Sequence, residues 1–217
     1  MKIVVKVEIE TLFDESGSVC SDKMEHLAMI CANLQNSGAR VLIVSSGAIA
    51  LGAARLGLNS VPEGITAKQA AAAVGQAELI ITYQEHFDNF DQTVAQVLLT
   101  KDVTDNPVRN INAKNTLINL MDKGIIPLIN ENDSVSTSDI IMNDNYPLVL
   151  IVTSLTDADM VVVNTFNTDR FILLFKDSSY SREATAEELL DITGNLKNGS
   201  FHLKQDIKGF PDYTGFN

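Results

Sequence analysis

The chain has 217 residues, of which 45% are hydrophobic and 20% charged, and its formal net charge is −12. This length and composition predict either one large α/β domain with a substantial core or a domain with a small appendage, and they exclude a disordered chain. A nucleic-acid groove needs a basic stripe that displaces counterions, so the acidic balance argues against nucleic acid as a partner, and equally against an acidic membrane surface. A small anionic substrate would have to be met by local donors and a metal.

The two cysteines, Cys20 and Cys31, show neither a Cys-x-x-Cys pattern nor a paired histidine spacing. A disulfide framework or a zinc site is therefore not expected, and a reducing compartment is the simpler interpretation. Residues 1–10 lack the basic, apolar and small segments of a signal peptide, and no apolar run reaches the length of a membrane span. We expect a cytoplasmic protein with no membrane partner.

The first predicted strand is Lys2 to Val7, and Lys6 lies near its carboxyl end. Spacing alone favours a strand-end lysine whose charged head is solvated. The alternative is that Lys6 pairs with an anionic ligand, but Glu8 and Glu10 follow at once and would repel such a ligand. Both interpretations of Lys6 stay open at the level of spacing.

A helix is predicted over residues 21–36, and a second buried strand over residues 41–44. That strand leads directly into Ser45, Ser46 and Gly47, after which residues 49–56 have helical character. A strand, a turn of small residues and a helix N-terminus can form an anion site, because free backbone N–H groups and the positive end of the helix dipole face the ligand. The motif alone is more typical of a plain helix cap.

An alanine-rich helix follows over residues 66–90, and we expect a break or kink in it near Gly75 and Gln76. A third strand is predicted over residues 93–100, a helix over 109–121 and a central buried strand over 125–129. These alternating elements predict a parallel sheet that is covered on both faces.

The central strand opens into a loop with two amides and two carboxylates, Asn130, Glu131, Asn132 and Asp133. Open α/β sheets bind ligands where the carboxyl ends of their strands open, so this loop is a candidate site. An Asx-type turn without any ligand explains the same residues equally well.

Beyond the central strand the pattern is weaker. Residues 148–155 fit either a helix or a strand, whereas residues 160–163 and 171–175 are predicted strands. Residues 183–191 predict a short acidic helix, and the last twenty or so residues, from Gly194, are expected to be weakly structured.

Five segments follow one another along the chain, VSSGAIALG (44–52), KQAAAAVGQ (68–76), VAQVLLT (94–100), NAKNTL (112–117) and PLINEND (127–133). In this order they resemble one family, the glutamate 5-kinases of the amino acid kinase superfamily. The resemblance covers roughly residues 1–163 and implies an αβα sandwich with a mostly parallel central sheet. It also implies ATP and Mg²⁺ as cofactors, L-glutamate as substrate, phosphoryl transfer to its side-chain carboxylate as the first step toward proline, and a homo-oligomer, either dimer or tetramer.

The resemblance also assigns roles to individual residues. It implies that Lys6 contacts the transferred phosphate, that Asp133 binds the amino group of glutamate, and that the end of the predicted strand 160–163 faces the nucleotide. The implied glutamate-binding residues are Ser46, Gly47, Asn130, Asp133 and Asn145, and the implied nucleotide-binding residues are Asn164 and Thr165. No protein ligand of a metal is assigned.

The sequence departs from the family on the phosphate side. The glycine expected after the first-strand lysine is Glu8, Tyr146 stands where the family's Gly-Asp-Asn-Asp motif has its last aspartate, and the later glycine-rich segment with a second lysine has no convincing counterpart. Two hypotheses therefore remain, a divergent glutamate 5-kinase and a kinase-derived amino-acid-binding or assembly subunit. A Rossmann-type reductase lacks its glycine fingerprint.

We divide the chain into an amino acid kinase-like core, residues 1–165, and a divergent remnant of the nucleotide-binding part, residues 166–217. No C-terminal domain of the RNA-modification type is expected.

Overall fold

The computed structural model describes residues 1–8, 13–14, 18–137, 145–164, 171–175 and 181–196. Within them lie seven strands, six α-helices and one 3₁₀ turn, Lys101–Val103. The strands are β1 Lys2–Val7, β2 Arg40–Ser45, β3 Val94–Leu99, β4 Ile126–Glu131, β5 Met160–Asn164, β6 Phe171–Phe175 and β7 Ser181–Ala184. The helices are α1 Ser21–Asn36, α2 Ala48–Arg55, α3 Ile65–Asp88, α4 Pro107–Asp122, α5 Tyr146–Thr156 and α6 Ala186–Leu196.

All seven strands form one sheet in the order β3-β4-β2-β1-β5-β6-β7. Strands β1 to β5 pair with one another in parallel, whereas β6 pairs antiparallel with β5, and β7 antiparallel with β6. The predicted α/β class with a mostly parallel sheet is confirmed.

The alternation of side chains along β1 separates two apolar layers. Ile3, Val5 and Val7 face a core that also contains buried residues of α1 and α3. Val4 faces the opposite layer, which is built largely from α4 and α5. Helices therefore cover both faces of the sheet, and the structure is an αβα sandwich.

The predicted break in the alanine-rich helix is wrong, because α3 runs uninterrupted through Gly75 and Gln76. A Cβ at Gly75 would lie 1.8 Å from the carbonyl oxygen of Ala48, and a Cβ at Gly52 would lie 1.8 Å from that of Ala71. The two glycines therefore let the backbones of α2 and α3 touch. An interior helical glycine costs only about 1 kcal/mol relative to alanine, which this contact can offset.

The second half of the chain resolves the open elements. Residues 148–155 belong to helix α5, whose apolar side chains include Leu148, Val152 and Leu155 in the core. The helix predicted over residues 183–191 begins later, because Ser181–Ala184 pairs with β6 as strand β7, and α6 extends through Gly194 to Leu196. Residues 197–217 lie outside the described part of the chain. None of the described helices is both long enough and apolar enough to cross a membrane.

Candidate functional site at the carboxyl edge of the sheet

The strand register brings four strand ends to one edge. In the parallel ladders, Val7 of β1 lies opposite Ser45 of β2 and Asn164 of β5. Val44 of β2 pairs with Ile129 of β4. Since parallel strands open at the same edge, the Ser45-Ser46-Gly47 junction lies directly between the end of β1 and the Asn130–Asp133 loop.

The junction between β2 and α2 is held by hydroxyl groups. The Ser45 hydroxyl donates to the Ser46 carbonyl oxygen over 2.9 Å, and its oxygen lies 2.9 Å from the hydroxyl of Tyr83 on α3. The Ser46 hydroxyl donates to the carbonyl oxygen of Val7 over 3.4 Å. These bonds fix the ends of β1 and β2 relative to each other.

Helix α2 begins without a side-chain cap. Its N-cap is Gly47, whose φ of 110° lies in the left-handed region that favours glycine, and no side chain accepts a hydrogen bond from the first turn. The N-cap of the motif is therefore its glycine, and neither serine caps the helix through its side chain. The first helical bond runs from the Leu51 amide to the Gly47 carbonyl, so the preceding amides have no acceptor within the helix. Such a turn can bind a carboxylate or a phosphate.

The carboxyl end of β4 contains a buried amide and a buried acid, because the strand extends through Asn130 and Glu131, two residues beyond the predicted end at residue 129. Asn130 is 5% exposed, and its Nδ2 donates to Gln76 Oε1 over 2.9 Å while its Oδ1 accepts from the Glu131 amide over 2.9 Å. Glu131 is also buried and accepts a hydrogen bond from the hydroxyl of Ser136. The following turn is closed by the backbone carbonyl of Asn132, which accepts from the Val135 and Ser136 amides. Asn130 itself is thus engaged at both of its polar side-chain atoms.

Asp133 lies half-buried beside this buried acid. Burial, and to a smaller extent the negative charge of Glu131, together raise the pKa of Asp133 to about 6. Two carboxylates that share a partly dehydrated site favour a cation, such as an ammonium group, that would relieve their repulsion. The arrangement is therefore chemically suited to the amino group of an amino acid.

The interpretation of Lys6 as a solvated lysine is wrong, because Lys6 is 4% exposed. Its ammonium group forms an ion pair with Glu8, and Nζ lies 5.8 Å from the centroid of the Tyr146 ring at the start of α5. Glu8 therefore supplies the negative charge that an anionic ligand would otherwise bring to this lysine.

Asn145 precedes α5, next to the ring that covers Lys6. Its side chain is buried, and Nδ2 has no hydrogen-bond partner. Asn164 ends β5 beside Val7, but its side chain lies outside the described residues, as does all of Thr165. Of the residues assigned from sequence, the structure thus gathers Lys6, Ser46, Gly47, Asn130, Asp133 and Asn145 around one edge.

Comparison with known proteins agrees with this architecture. Residues 1–169, more than three quarters of the chain, match the amino acid kinase family. The chain belongs to the amino acid kinase family.

Individual relatives extend the comparison. A protein named glutamate 5-kinase from Clostridium tetani is 45% identical over 161 residues, which cover 74% of this chain and 60% of that protein. Another of the same name, from Caldanaerobacter subterraneus subsp. tengcongensis, is 39% identical over 191 residues, 88% of this chain and 50% of that protein. This amino acid kinase thus spans about half to three fifths of the length of these curated relatives. A solved UMP kinase from Bacillus anthracis superposes with a TM-score of 0.46 at 16% identity, over 75% of this chain and 63% of that one.

Reasoning from sequence missed two residues on α3 that organise this amino acid kinase site. Gln76 accepts a hydrogen bond from Asn130 at the end of β4, and the hydroxyl of Tyr83 is hydrogen-bonded to that of Ser45 at the end of β2. Their spacing of seven places both on the buried face of the helix, together with Ala72 and Leu79. The available signal was a glutamine inside an otherwise apolar helical stripe.

Proposed function

We propose that this amino acid kinase is a glutamate 5-kinase, which transfers the γ-phosphoryl group of ATP to the side-chain carboxylate of L-glutamate, the first step of proline synthesis. The observation that carries the proposal is the adjacency of the serine-glycine junction after β2 and the amide-acid loop after β4, next to Lys6. The junction after β2 offers hydrogen-bond donors for carboxylates, and the segment at the end of β4 offers negative charge for an ammonium group. The names of the relatives support the same substrate.

The amino-acid half of the site acts by positioning. Asp133, beside Glu131, would bind the α-ammonium group, and Ser46 with the first amides of α2 would bind a carboxylate. Asn145 would donate its unpartnered Nδ2 to the same ligand. Fixing both ends of glutamate would orient the reacting carboxylate for in-line attack and lower the entropic cost of the step.

The residues of the phosphate half fit ATP less well than those of the amino-acid half fit glutamate. Bound ATP with Mg²⁺ supplies the phosphoryl group and neutralises part of its charge. Lys6 would contact the transferred phosphate, but its ion pair with Glu8 would first have to break. Asn164 and Thr165 would face the nucleotide at the end of β5. Across the described residues no group of three or more His, Cys, Asp or Glu side chains could hold a metal ion, and Mg²⁺ that arrives with ATP needs few protein ligands.

The test is trapping of the acyl phosphate. The purified chain is incubated with glutamate, ATP, Mg²⁺ and hydroxylamine, and the hydroxamate is measured for wild type and for Lys6→Ala. Lys123→Ala is the matched control, because Lys123 precedes β4 and so lies at the opposite edge of the sheet. The proposal fails if wild type gives no more product than Lys6→Ala.

The ion pair between Lys6 and Glu8 favours a second candidate, a kinase-derived amino-acid-binding or assembly subunit without efficient phosphoryl transfer. Thermal shift with each ligand alone separates the two functions, because a ligand stabilises only the state that binds it. Stabilisation by glutamate but not by ATP would identify the binding subunit. Stabilisation by both supports the kinase.

We also propose a homo-oligomer, either dimer or tetramer, in the cytoplasm. The reducing cytoplasm suits Cys20 and Cys31, which are both free thiols. Light scattering on the purified chain measures the number of copies, and a monomer at assay concentrations would contradict the assembly.

A further inference from the structure

Helix α3 places a buried side-chain amide, that of Gln76, between the β2 junction and the end of β4. The side chain of Gln76 reaches the end of β4, where its Oε1 accepts from Asn130. The preceding residue, Gly75, touches the backbone of Ala48, the first residue of α2. Gln76 therefore lies where the β2 and β4 junctions approach α3.

The nitrogen of this amide is unsatisfied. Gln76 is 9% exposed, and Nε2, which carries two hydrogens, is buried without a hydrogen-bond partner. Buried polar groups in native proteins are almost always paired, so an orphaned donor at a functional edge calls for an acceptor. Asn145 Nδ2 has the same signature, and its residue is already assigned to the amino-acid ligand. The other such atom in the described chain, His26 Nε2, lies on α1 rather than at a strand end.

We propose that Gln76 is a substrate-binding residue, whose Nε2 donates to a carboxylate oxygen of the bound amino acid while its Oε1 holds Asn130. This inference rests on the proposed function and adds a contact to it. An α-amino dicarboxylate has four carboxylate oxygens, each of which can accept a hydrogen bond. The Gln76 nitrogen can donate to one of them, whereas both polar side-chain atoms of Asn130 already form hydrogen bonds within the protein. Asn130 then acts as a positioning residue that fixes the orientation of the Gln76 amide.

Gln76→Glu separates substrate binding from a purely structural role. The glutamate side chain keeps an oxygen that can accept from Asn130, but it replaces the donor by a second oxygen that repels a carboxylate. If Gln76 contacts the substrate, KM for L-glutamate rises about 10- to 100-fold, since hydrogen bonds to charged groups are the strong ones. KM for ATP stays within about twofold, because the nucleotide lies at the other half of the site. If Gln76 only holds Asn130, KM for glutamate is unchanged and the inference is overturned.

Two further variants complete the experiment. Gln76→Met removes the donor without adding charge, so it tests the same contact if Gln76→Glu does not fold. It should also raise KM for glutamate about tenfold or more. Gln96→Glu introduces the same charge at an exposed position of β3 and should leave both KM values unchanged.

Glutamate-induced thermal shift distinguishes this inference from the proposed function. A wild type that forms no acyl phosphate but is stabilised by glutamate, with the stabilisation lost in Gln76→Glu, refutes the kinase and supports the contact. An active wild type whose Gln76→Glu variant responds normally to glutamate supports the kinase and refutes the contact.

Discussion

The two halves of the site lie at the same edge of the same sheet, yet they differ in how their polar groups are satisfied. On the amino-acid side, the buried side-chain nitrogens of Gln76 and Asn145 have no hydrogen-bond partner, and the half-buried Asp133 lies beside a second carboxylate. On the phosphate side, Lys6 already has a carboxylate partner in Glu8. The first half is arranged to receive a ligand, whereas the second contains a side chain that competes with one.

This difference shows how one substitution can separate binding from chemistry within a single fold. A carboxylate about 5 Å from a phosphate costs roughly 1 kcal/mol in water-like surroundings and several times more when dehydrated. Under the proposed function this penalty falls chiefly on ATP, because Glu8 pairs with Lys6 at the end of β1, whereas the amino-acid half is built from the ends of β2 and β4. The following predictions test that separation, from the largest expected effect to the smallest.

Gly75→Val should disrupt the amino-acid half entirely. A Cβ at Gly75 would lie 1.8 Å from the Ala48 carbonyl oxygen, so α2 and α3 must separate. We expect a loss of about 3 kcal/mol or more in the free energy of unfolding, measured by urea denaturation. Gly64→Ala is the control, because nothing lies within 4 Å of the added carbon. Equal stability of the two variants would contradict the close contact.

Asp133→Asn should weaken glutamate binding by about 100-fold, measured by calorimetry. The wild type should bind glutamate more weakly as pH falls through about 6, where Asp133 becomes protonated. The variant should lack that pH dependence, and Asp191→Asn, an exposed change on α6, should retain it. Unchanged affinity in Asp133→Asn would remove this residue from the site.

Protonation of Asp133 should affect the free energy of unfolding in the opposite direction to glutamate binding: stability should fall as pH rises, whereas binding should weaken as pH falls. Because the native pKa of Asp133 is raised above its usual value of 3.8, the native state holds a proton that the unfolded state has released between about pH 4 and 6. Asp133 therefore contributes a loss of stability as pH rises through that window. Asp133→Asn should melt at a higher temperature than wild type at pH 7, and a lower melting temperature would contradict this account.

Glu8→Gly should improve the phosphate half alone. Removing the competing carboxylate frees Lys6 for an anionic ligand, and we expect KM for ATP to fall about tenfold, equivalent to about 1.4 kcal/mol. Glu8→Gln, which removes the charge but keeps the side-chain length, should show most of the gain. KM for glutamate should stay constant in both variants. A rise in KM for ATP would show that Glu8 assists nucleotide binding.

Tyr83→Phe should have the smallest effect. It removes the hydroxyl that bonds Ser45, while the Ser45 hydroxyl still donates to the Ser46 carbonyl. We expect a loss of about 1 kcal/mol in stability, measured by chemical denaturation. Glutamate affinity should change less than twofold, and a larger change would mean that Tyr83 sets the geometry of the β2 junction directly.

The sequence predicted the layered sheet well because its signals were local. The β-branched run of β1 and the buried strands leading into Ser45 and Asn130 were each visible within a few residues. Parallel pairing then followed from the alternation of strands and helices. The positions of Ser46 and Asp133 at one edge needed no further information.

The wrong predictions concern residues whose environment is set by a contact that lies far away in the sequence. Gly75 looked like a helix breaker, because the sequence alone does not show that Ala48 lies against it. Lys6 looked like a solvated lysine for the same reason, since Tyr146 and α5 come 140 residues later. Gln76 was not predicted as a site residue, because its partner, Asn130, is fifty-four positions away.

Helix α3 is a continuous rod between the two points at which it bonds the site. Gln76 and Tyr83 are seven residues apart, about 10 Å along the helix axis. The ends of β4 and β2 are therefore fastened to one stiff object, and neither can drift without the other. If the proposed site binds a substrate, this helix holds its two strand ends at a fixed spacing beforehand, which lowers the entropic cost of ordering the protein on binding.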